Sequence, residues 1–376
     1  MRLITTNTQL TKPLVWLEVS TQALLSNVRK MKTLVGNTKI MAVLKANAYG
    51  LGGVGVARTI EQDVDAFGVV GINEALALRT AGVKKQVVNL GMYTPEDALA
   101  LIENDIAPNI FTDAALKNFD RASKKCNKSA DIWIKVDTGL CRLGVPYREA
   151  ASLIRSAKKM RGIAVQGVSS SFTEDETFDR EQLKRFLAVK KQCQKENIAV
   201  PLWSIASSEA AFMFEESTLN MARLGISILG YYPSAGAQAT NKIILQPSAT
   251  YKTRVACVKE IEKGESVFYR KKFIAKKKIR IAVLLPGYSY GLSPALVDGS
   301  DVLIREKKYP LVGGISATNC FVDIGTNNEI DVNDEVVLFG KQGDAEIMLN
   351  EVCTLTKQNP YECLSRIPEK VQRIYV

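Results

Sequence analysis

KIMAVLKANAYGLGG, residues 39–53, joins an apolar run to a glycine-rich turn. The run from Ile40 to Leu44 has the length and character of a strand buried on both faces, and it ends in Lys45. Tyr49 follows four residues later, and glycines come after it. Taken alone, a lysine there is more often a solvated strand end than a reactive group. Its neighbours in the fold therefore decide its role.

Similar apolar runs repeat along the N-terminal part of the chain, at 66–70, 87–91, 107–111, 132–136, 163–168, 202–206 and 221–230. Between them lie segments with helical spacing, such as NEALALRTAG at 73–82. Continuous apolar strands that are each followed by a helix pair in parallel. Eight such units in roughly 200 residues predict a (β/α)₈ barrel, with a doubly wound open sheet as the alternative.

The pattern changes after residues 231–241, which are rich in Ser, Gly, Ala and Pro. The segments TYKTRVACVKEI, KIRIAVLLPG, DEVVLFG and EIMLNEV alternate apolar and polar residues with a period of two. They predict a separate all-β domain, with helix only near 359–367. We expect a barrel domain over 12–238 and a β-strand domain over 242–376, with residues 1–11 packing against the β domain.

Composition excludes several kinds of chemistry. The 376 residues include no histidine, so Ser-His-Asp and Cys-His nucleophiles and His-ligated zinc are ruled out. Acid–base chemistry must come from Lys, Tyr, Cys or carboxylates, and we expect no metal site. Seven dispersed cysteines without a C-x-x-C pair indicate reduced thiols.

The net charge of +11 raises the question of a nucleic-acid partner, as does RKKFIAKKKIR at 270–280. Phe273 and Ile274 interrupt that run, however, which is typical of strands with solvated basic faces. A basic balance suits anionic small molecules equally well, so we expect no nucleic acid. No apolar run is long enough to span a bilayer and no signal peptide is evident, so we expect a cytoplasmic protein without membrane contact.

Polar residues lie after the predicted strands or, for Arg223 and Gly225, within the last one, at the edge where barrel enzymes have their active sites. They are Lys45, the segment 135–142, Ser169 to Ser171, Ser207, Ser208, Arg223 and Gly225. Burial and neighbouring cations would depress the pKa of Lys45 and make it a nucleophile able to form a Schiff base. Backbone N–H groups from Gly225 onward, near Ser208, suit a phosphate. An amine with a phosphate cradle predicts pyridoxal 5'-phosphate as cofactor.

Taken singly, each of these features has a plainer interpretation. Lys45 would be a surface lysine, Arg223 would form an ion pair in the barrel core, and Ser207 with Ser208 would cap a helix. The combination in barrel order is what favours a cofactor site.

Six motifs carry a family resemblance: VLKANAYGLG (43–52), KVDTGLCRLG (135–144), RLGISILG (223–230), GESVFY (264–269), GYSYG (287–291) and YECLSRI (361–367). With these motifs in order, the sequence resembles the bacterial alanine racemases over nearly its whole length. The resemblance implies a pyridoxal-phosphate-dependent racemase that interconverts L- and D-alanine for the cell wall. It also implies a homodimer with shared active sites.

The resemblance implies roles for individual residues. Lys45 would hold the cofactor and act as base on one face of the substrate. Tyr269, delivered by a second subunit, would act on the other face. Other cofactor contacts would come from Tyr49, Ser208, Arg223, Gly225, Ile226 and Tyr361. Arg142, Ala317 and Tyr288 would contact or admit the substrate, and Lys135 matches a lysine that is carbamylated in some members.

The sequence also departs from the family pattern. Ser171 stands where the family has a histidine, and Ala317 and Thr318 stand where it has Met and Asp. These departures leave two alternatives open. In the first, the chain is a racemase for another amino acid such as serine. In the second, it is a homologue that binds the cofactor but has only weak catalytic activity.

Overall fold

A computed structural model describes residues 13–297 and 299–376. They form two compact units, one over Thr21–Pro247 and one that combines Ser248–Val376 with the described residues up to Ser20. The first strand, β1 (Val15–Val19), pairs antiparallel with residues 249–253 of the second unit. We had expected the barrel domain to begin at residue 12 and therefore to include β1. The expectation for residues 1–11 lies outside the described residues.

The first unit contains eight parallel strands that follow one another around a nearly closed barrel. The eight strands are β2 (Lys39–Val43), β3 (Ala66–Val69), β4 (Gln86–Asn89), β5 (Ile106–Ile110), β6 (Ala130–Asp137), β8 (Ile163–Ser169), β9 (Leu202–Ser204) and β10 (Met221–Leu224). A short additional strand, β7 (Val145–Pro146), pairs with β6. The last strand, β10, pairs with β2, and the Arg223 N–H donates to the Ala206 carbonyl just after β9 at 3.0 Å. The predicted barrel is confirmed, and the open-sheet alternative is excluded.

Helices with one apolar and one charged face cover the outside of the strands. Their bounds are α1 (Thr21–Val35), α2 (Lys45–Tyr49), α3 (Gly53–Ile60), α4 (Ile72–Thr80), α5 (Ala98–Glu103), α6 (Asp113–Lys125), α7 (Tyr147–Lys159), α8 (Glu176–Lys195), α9 (Ser208–Met213) and α10 (Ala235–Ala239). The five-residue α2 is different, because its backbone is not that of a regular helix and it forms the turn after β2. Inside the barrel lies a buried cluster of Met41, Ala66, Val88, Ala107, Trp133 and Met221. Gly167 on β8 leaves room for the Trp133 indole, because a Cβ there would lie 2.5 Å from it.

The second unit is a mostly antiparallel sheet. Its strands are β1, β11 (Ala249–Ile261), β14 (Ile279–Leu284), β15 (Asp301–Ile304), β16 (Lys307–Val312), β17 (Cys320–Asp323), β18 (Glu335–Gln342), β19 (Ala345–Ile347) and β20 (Gln372–Tyr375), with a separate hairpin of β12 (Ser266–Val267) and β13 (Phe273–Ile274). The long β11 pairs with β1, β14 and β18, so the sheet curls back on itself.

Two helices, α11 (Leu349–Thr356) and α12 (Pro360–Ser365), belong to the second unit. The second confirms the helix expected near 359–367. The first corrects the strand expected for EIMLNEV, which continues past β19 into a helix. The Glu351 carboxylate accepts a hydrogen bond from the Met348 N–H at 3.0 Å, and this contact starts the helix. Within the described ranges, no helix has the length and apolarity needed to cross a membrane.

Candidate active site

The turn after β2 has a left-handed backbone. Four consecutive residues, Ala46 to Tyr49, have φ values of 52°, 56°, 53° and 50°. For residues with a Cβ this conformation costs roughly 1–2 kcal/mol each, so other contacts must hold it. The Glu74 carboxylate accepts from the Asn47 N–H at 2.9 Å, and the Asn47 side chain accepts from the Gly53 N–H at 2.7 Å. This strained turn sets the positions of Lys45 and Tyr49.

Lys45 is a half-buried amine among cations. Its Nζ lies 5.8 Å from the centre of the Tyr49 ring. Burial lowers the pKa of Lys45, the charges of Arg142 and Arg223 lower it further, and Glu174 opposes them. More of the amine is therefore neutral and nucleophilic than in an exposed lysine.

Arg223 is held rigidly at the end of β10. Its Nη1 donates to the carbonyl and hydroxyl oxygens of Ser204 at 2.9 and 2.8 Å, and its Nη2 donates to the Ser170 carbonyl at 2.6 Å. Burial, and secondarily Arg142, lowers the pKa of Arg223 to about 10. Within the described residues its Nε makes no hydrogen bond. The guanidinium thus has a fixed plane and one remaining donor.

Lys135 and Arg223 converge on Ser171. The buried Lys135 Nζ donates to the Ser171 hydroxyl at 2.7 Å, and the Arg223 Nη2 donates to it at 3.3 Å. Burial, followed by the charges of Arg223 and Arg142, holds the pKa of Lys135 well below its ordinary value, against the pull of Asp137. The Ser171 hydroxyl is therefore an acceptor shared by two basic side chains.

A small polar cradle lies at the start of α9. The Ser208 hydroxyl accepts from the Gly225 N–H at 3.0 Å. A Cβ on Gly225 would lie 2.6 Å from the Tyr49 hydroxyl, so only glycine leaves that hydroxyl its place. Burial, and secondarily Glu74, raises the pKa of Tyr49, which keeps the hydroxyl protonated as a donor. The buried Ile226 follows Gly225 in the chain.

These residues fit a phosphorylated aromatic aldehyde. Hydroxyl donors from Tyr49 and Ser208 suit a phosphate, the Lys45 amine suits an aldehyde, and the Arg223 Nε suits a ring nitrogen. Arg142 is exposed, and within the described residues it forms no ion pair, so its charge is available to an anionic ligand.

The remaining predicted site residues lie in the second unit. Tyr269 is 74% exposed, beside Phe268 with ring centres 4.9 Å apart. The Tyr288 N–H donates to the Ser316 carbonyl at 2.9 Å, which brings Tyr288 next to the segment that contains Ala317. Tyr361 lies on α12. The structure thus brings Tyr288 and Ala317 together within one unit.

Sequence reasoning missed Glu74 and Ser204, and it gave Ser170 no role beyond its place in the segment Ser169 to Ser171. Glu74 binds the backbone of Asn47 as well as the N–H groups of Val70 and Gly71, both at 3.1 Å. Glutamate is common at the start of a helix, so the sequence does not indicate that Glu74 also binds the turn that follows β2. Both serines accept from Arg223 through their backbone carbonyls, which no side-chain pattern reveals, and Ser204 also accepts through its hydroxyl.

Fold and site together define a barrel protein with a lysine amine and an anion cradle at the carboxyl ends of its strands. The alanine racemase N-terminal domain model matches residues 19–233, and the alanine racemase C-terminal domain model matches residues 248–375. The chain therefore belongs to the alanine racemase family.

Known relatives are similar over nearly their full lengths. "Alanine racemase 1" of Caldanaerobacter subterraneus subsp. tengcongensis is 33% identical over 365 residues, covering 95% of this chain and 94% of the relative. The structure of alanine racemase from Clostridium difficile 630 matches with a TM-score of 0.92 at 26% identity, covering 98% and 97% of the two chains. Alanine racemase from Bartonella henselae, with covalently bound pyridoxal phosphate, shares the fold at a TM-score of 0.83 and 24% identity, covering 97% and 100%.

Proposed function

We propose that the chain is a pyridoxal-phosphate-dependent racemase that interconverts L- and D-alanine, supplying D-alanine for the cell wall. The observation that carries the proposal is the convergence at one barrel end of the Lys45 amine, the fixed Arg223 and the cradle of Tyr49, Ser208 and Gly225. Membership of the alanine racemase family supports the choice of reaction.

When bound, the cofactor supplies an electron-withdrawing group that makes the α-proton of an attached amino acid removable. Lys45 would hold its aldehyde carbon, and Arg223 would donate to its ring nitrogen. Because a guanidinium does not readily give up its proton, that nitrogen would stay unprotonated. The phosphate would be held by Tyr49, Ser208, Gly225, Ile226 and Tyr361.

Racemisation needs two bases, because the proton must leave one face of the α-carbon and return to the other. The Lys45 amine would exchange the proton on one face. The Tyr269 hydroxyl, from the second subunit of a homodimer, would exchange it on the opposite face. Arg142 would bind the substrate carboxylate together with the backbone near Ala317, and Tyr288 would line the entrance.

Borohydride reduction of the purified yellow holoprotein, followed by peptide mapping, tests the cofactor assignment. We expect the reduced cofactor on Lys45 and its loss in Lys45→Ala, whereas Lys39→Ala, at the exposed other end of the same strand, keeps it. Label on another lysine would contradict the site.

A chiral assay with alanine and serine, starting from each enantiomer, tests the reaction. We expect alanine to racemise faster. Faster turnover of serine would identify the alternative substrate, and no turnover with cofactor bound would identify a drifted homologue.

A further inference from the structure

Two cysteines of the second unit are in contact. Cys353 lies on α11 and Cys363 on α12, and their sulfur atoms are 3.3 Å apart. Only residues 357–359 connect the two helices, so the thiols face each other across a tight helical hairpin. Nine residues separate the two cysteines in the chain, so no C-x-x-C spacing marks them as a pair.

The two thiols have different surroundings. Cys353 is buried, and its S–H donates to the Cys363 sulfur, which is half-exposed. This hydrogen bond is the main cause that lowers the pKa of Cys363 to about 7. Reactive cysteines are partly exposed thiols with such nearby donors.

Gln358 supports this arrangement. With its amide oriented to satisfy its neighbours, the Gln358 oxygen accepts from the Arg366 guanidinium at 2.7 to 2.9 Å. The amide nitrogen then faces the Cys363 sulfur at 3.5 Å, where it can donate to a thiolate. The hairpin thus pairs one accessible, activated sulfur with one buried partner.

We propose that Cys353 and Cys363 form a reversible intrachain disulfide when the protein meets a peroxide or a small-molecule disulfide. With hydrogen peroxide, the Cys363 thiolate attacks one oxygen, the O–O bond breaks, and the departing hydroxide takes a proton to become water. The Cys353 thiol then attacks the oxidised sulfur, the S–S bond forms, and the second oxygen leaves as water. Two thiols and one peroxide become one disulfide and two waters, and a thiol reductant reverses the change.

Closing the bond brings sulfur atoms that are 3.3 Å apart to about 2.05 Å, a movement of about 1 Å. Tyr361 lies two residues before Cys363 on the same helix. The consequence for the cofactor rests on the proposed function, in which Tyr361 helps to hold the phosphate. Drawing α12 toward α11 displaces Tyr361 and weakens cofactor retention.

Thiol chemistry of the holoprotein tests the disulfide without any activity measurement. Samples are equilibrated with mixtures of reduced and oxidised glutathione, alkylated, and weighed intact. We expect two fewer alkylated thiols than in the fully reduced chain, a change that dithiothreitol reverses. An aliquot weighed before alkylation should be about 2 Da lighter than the fully reduced chain, because disulfide formation removes two hydrogen atoms. Lys357 lies between the two cysteines, so trypsin separates their peptides and only a disulfide keeps them joined.

Variants assign the pair. Cys353→Ser and Cys363→Ser each abolish the joined peptides, whereas Cys141→Ser, at an exposed cysteine of the barrel unit, leaves them unchanged. Peptide mapping of the unsubstituted chain stands independently of whether any variant folds. A stable glutathione adduct on Cys363 without the joined peptides, or an unchanged thiol count, would overturn the proposal.

Cofactor absorbance after gel filtration tests the consequence. We expect the oxidised protein to retain severalfold less cofactor than the reduced protein, and Cys363→Ser to show no difference between the two conditions. Equal retention by a protein shown to contain the disulfide would overturn the link to Tyr361. A reduced protein that binds no cofactor at all would instead refute the proposed function, while the thiol count would still decide the disulfide.

Discussion

Single side chains at the barrel end concentrate positive charge where water is largely excluded. Lys45, Lys135 and Arg223 each have a lowered pKa, first because of burial and then because of the charge of Arg142 and, for the two lysines, that of Arg223. Such a cluster of like charges lowers the free energy of unfolding unless bound anions neutralise it. A phosphate and a substrate carboxylate are anions of the kind that the cluster would bind.

Lys135 provides a test with a defined dependence on pH. Its folded pKa lies well below the unfolded value of 10.5, so the unfolded chain binds more protons between these values and stability rises with pH there. Lys135→Met removes this slope, which is at most about 1.4 kcal/mol per pH unit. We expect the variant's stability relative to the parent to be greatest at low pH and to fall as the pH approaches 10.5. Urea unfolding of cofactor-free protein across this range measures it.

The matched control is Lys117→Met, at an exposed position of α6, which should leave the pH dependence unchanged. Parallel stability curves for Lys135→Met and the parent would show that the buried amine is not the source of the slope.

Gly225 tests the polar cradle. A methyl group there would lie 2.6 Å from the Tyr49 hydroxyl, so Tyr49 must move in Gly225→Ala. We expect cofactor affinity at least tenfold weaker, about 1.4 kcal/mol, in a fluorescence titration. Gly236→Ala on α10, where the nearest atom would lie at an ordinary 3.5 Å, is the control. Unchanged cofactor affinity in Gly225→Ala would show that Tyr49 does not contribute to the cradle.

Among the local elements, the left-handed turn depends on one carboxylate. The Glu74 carboxylate accepts hydrogen bonds from the backbone N–H groups of Asn47, Val70 and Gly71. A hydrogen bond to a charged group contributes at most about 1.5–3 kcal/mol to stability. We expect Glu74→Ala to lower the free energy of unfolding by about 2 kcal/mol and to slow cofactor uptake. Chemical unfolding and absorbance measure the two effects.

Two controls accompany this change. Glu74→Gln keeps an acceptor oxygen and should be milder, and Glu96→Ala, at an exposed site, should be neutral. Loss of stability without slower uptake would mean that the turn does not position Lys45.

The strand and helix pattern of the barrel was predictable because each element is read from its own residues. Buried parallel strands are continuously apolar, and their spacing along the chain is that of a barrel. The strand expected for all of EIMLNEV was wrong, because seven residues are too few for a period of two to be distinguished from helical spacing. The Glu351 contact that starts α11 decided it.

At the level of the whole molecule, the proposed homodimer makes each active site depend on two chains. Lys45→Ala and Tyr269→Ala chains, each inactive alone, should recover activity when mixed after subunit exchange. Random pairing makes half of the dimers mixed, each with one complete site, so about a quarter of the native activity is expected. A racemase assay against mixing ratio measures the recovery.

Mixing Lys45→Ala with a Lys45→Ala, Tyr269→Ala double variant is the control, since neither partner then supplies the amine. No recovery in the first mixture, with subunit exchange verified by mass-tagged chains, would refute the shared site.

The sequence alone was enough to predict the barrel, the separate β domain, and the residues at the ends of the strands. These depend on local apolarity and on motifs whose members are close in the chain. Lys45, Arg223 and Ser208 could be named because each lies at or after the carboxyl end of its own strand.

Only the tertiary structure decided which distant residues meet. It placed β1 in the sheet of the second unit, Glu74 on the left-handed turn, Ser171 between Lys135 and Arg223, and Cys353 against Cys363. The physical reason is the same in each case. Backbone N–H groups and buried polar atoms must find partners wherever the folded chain brings them, and no local pattern in the sequence records partners that come from another strand or helix.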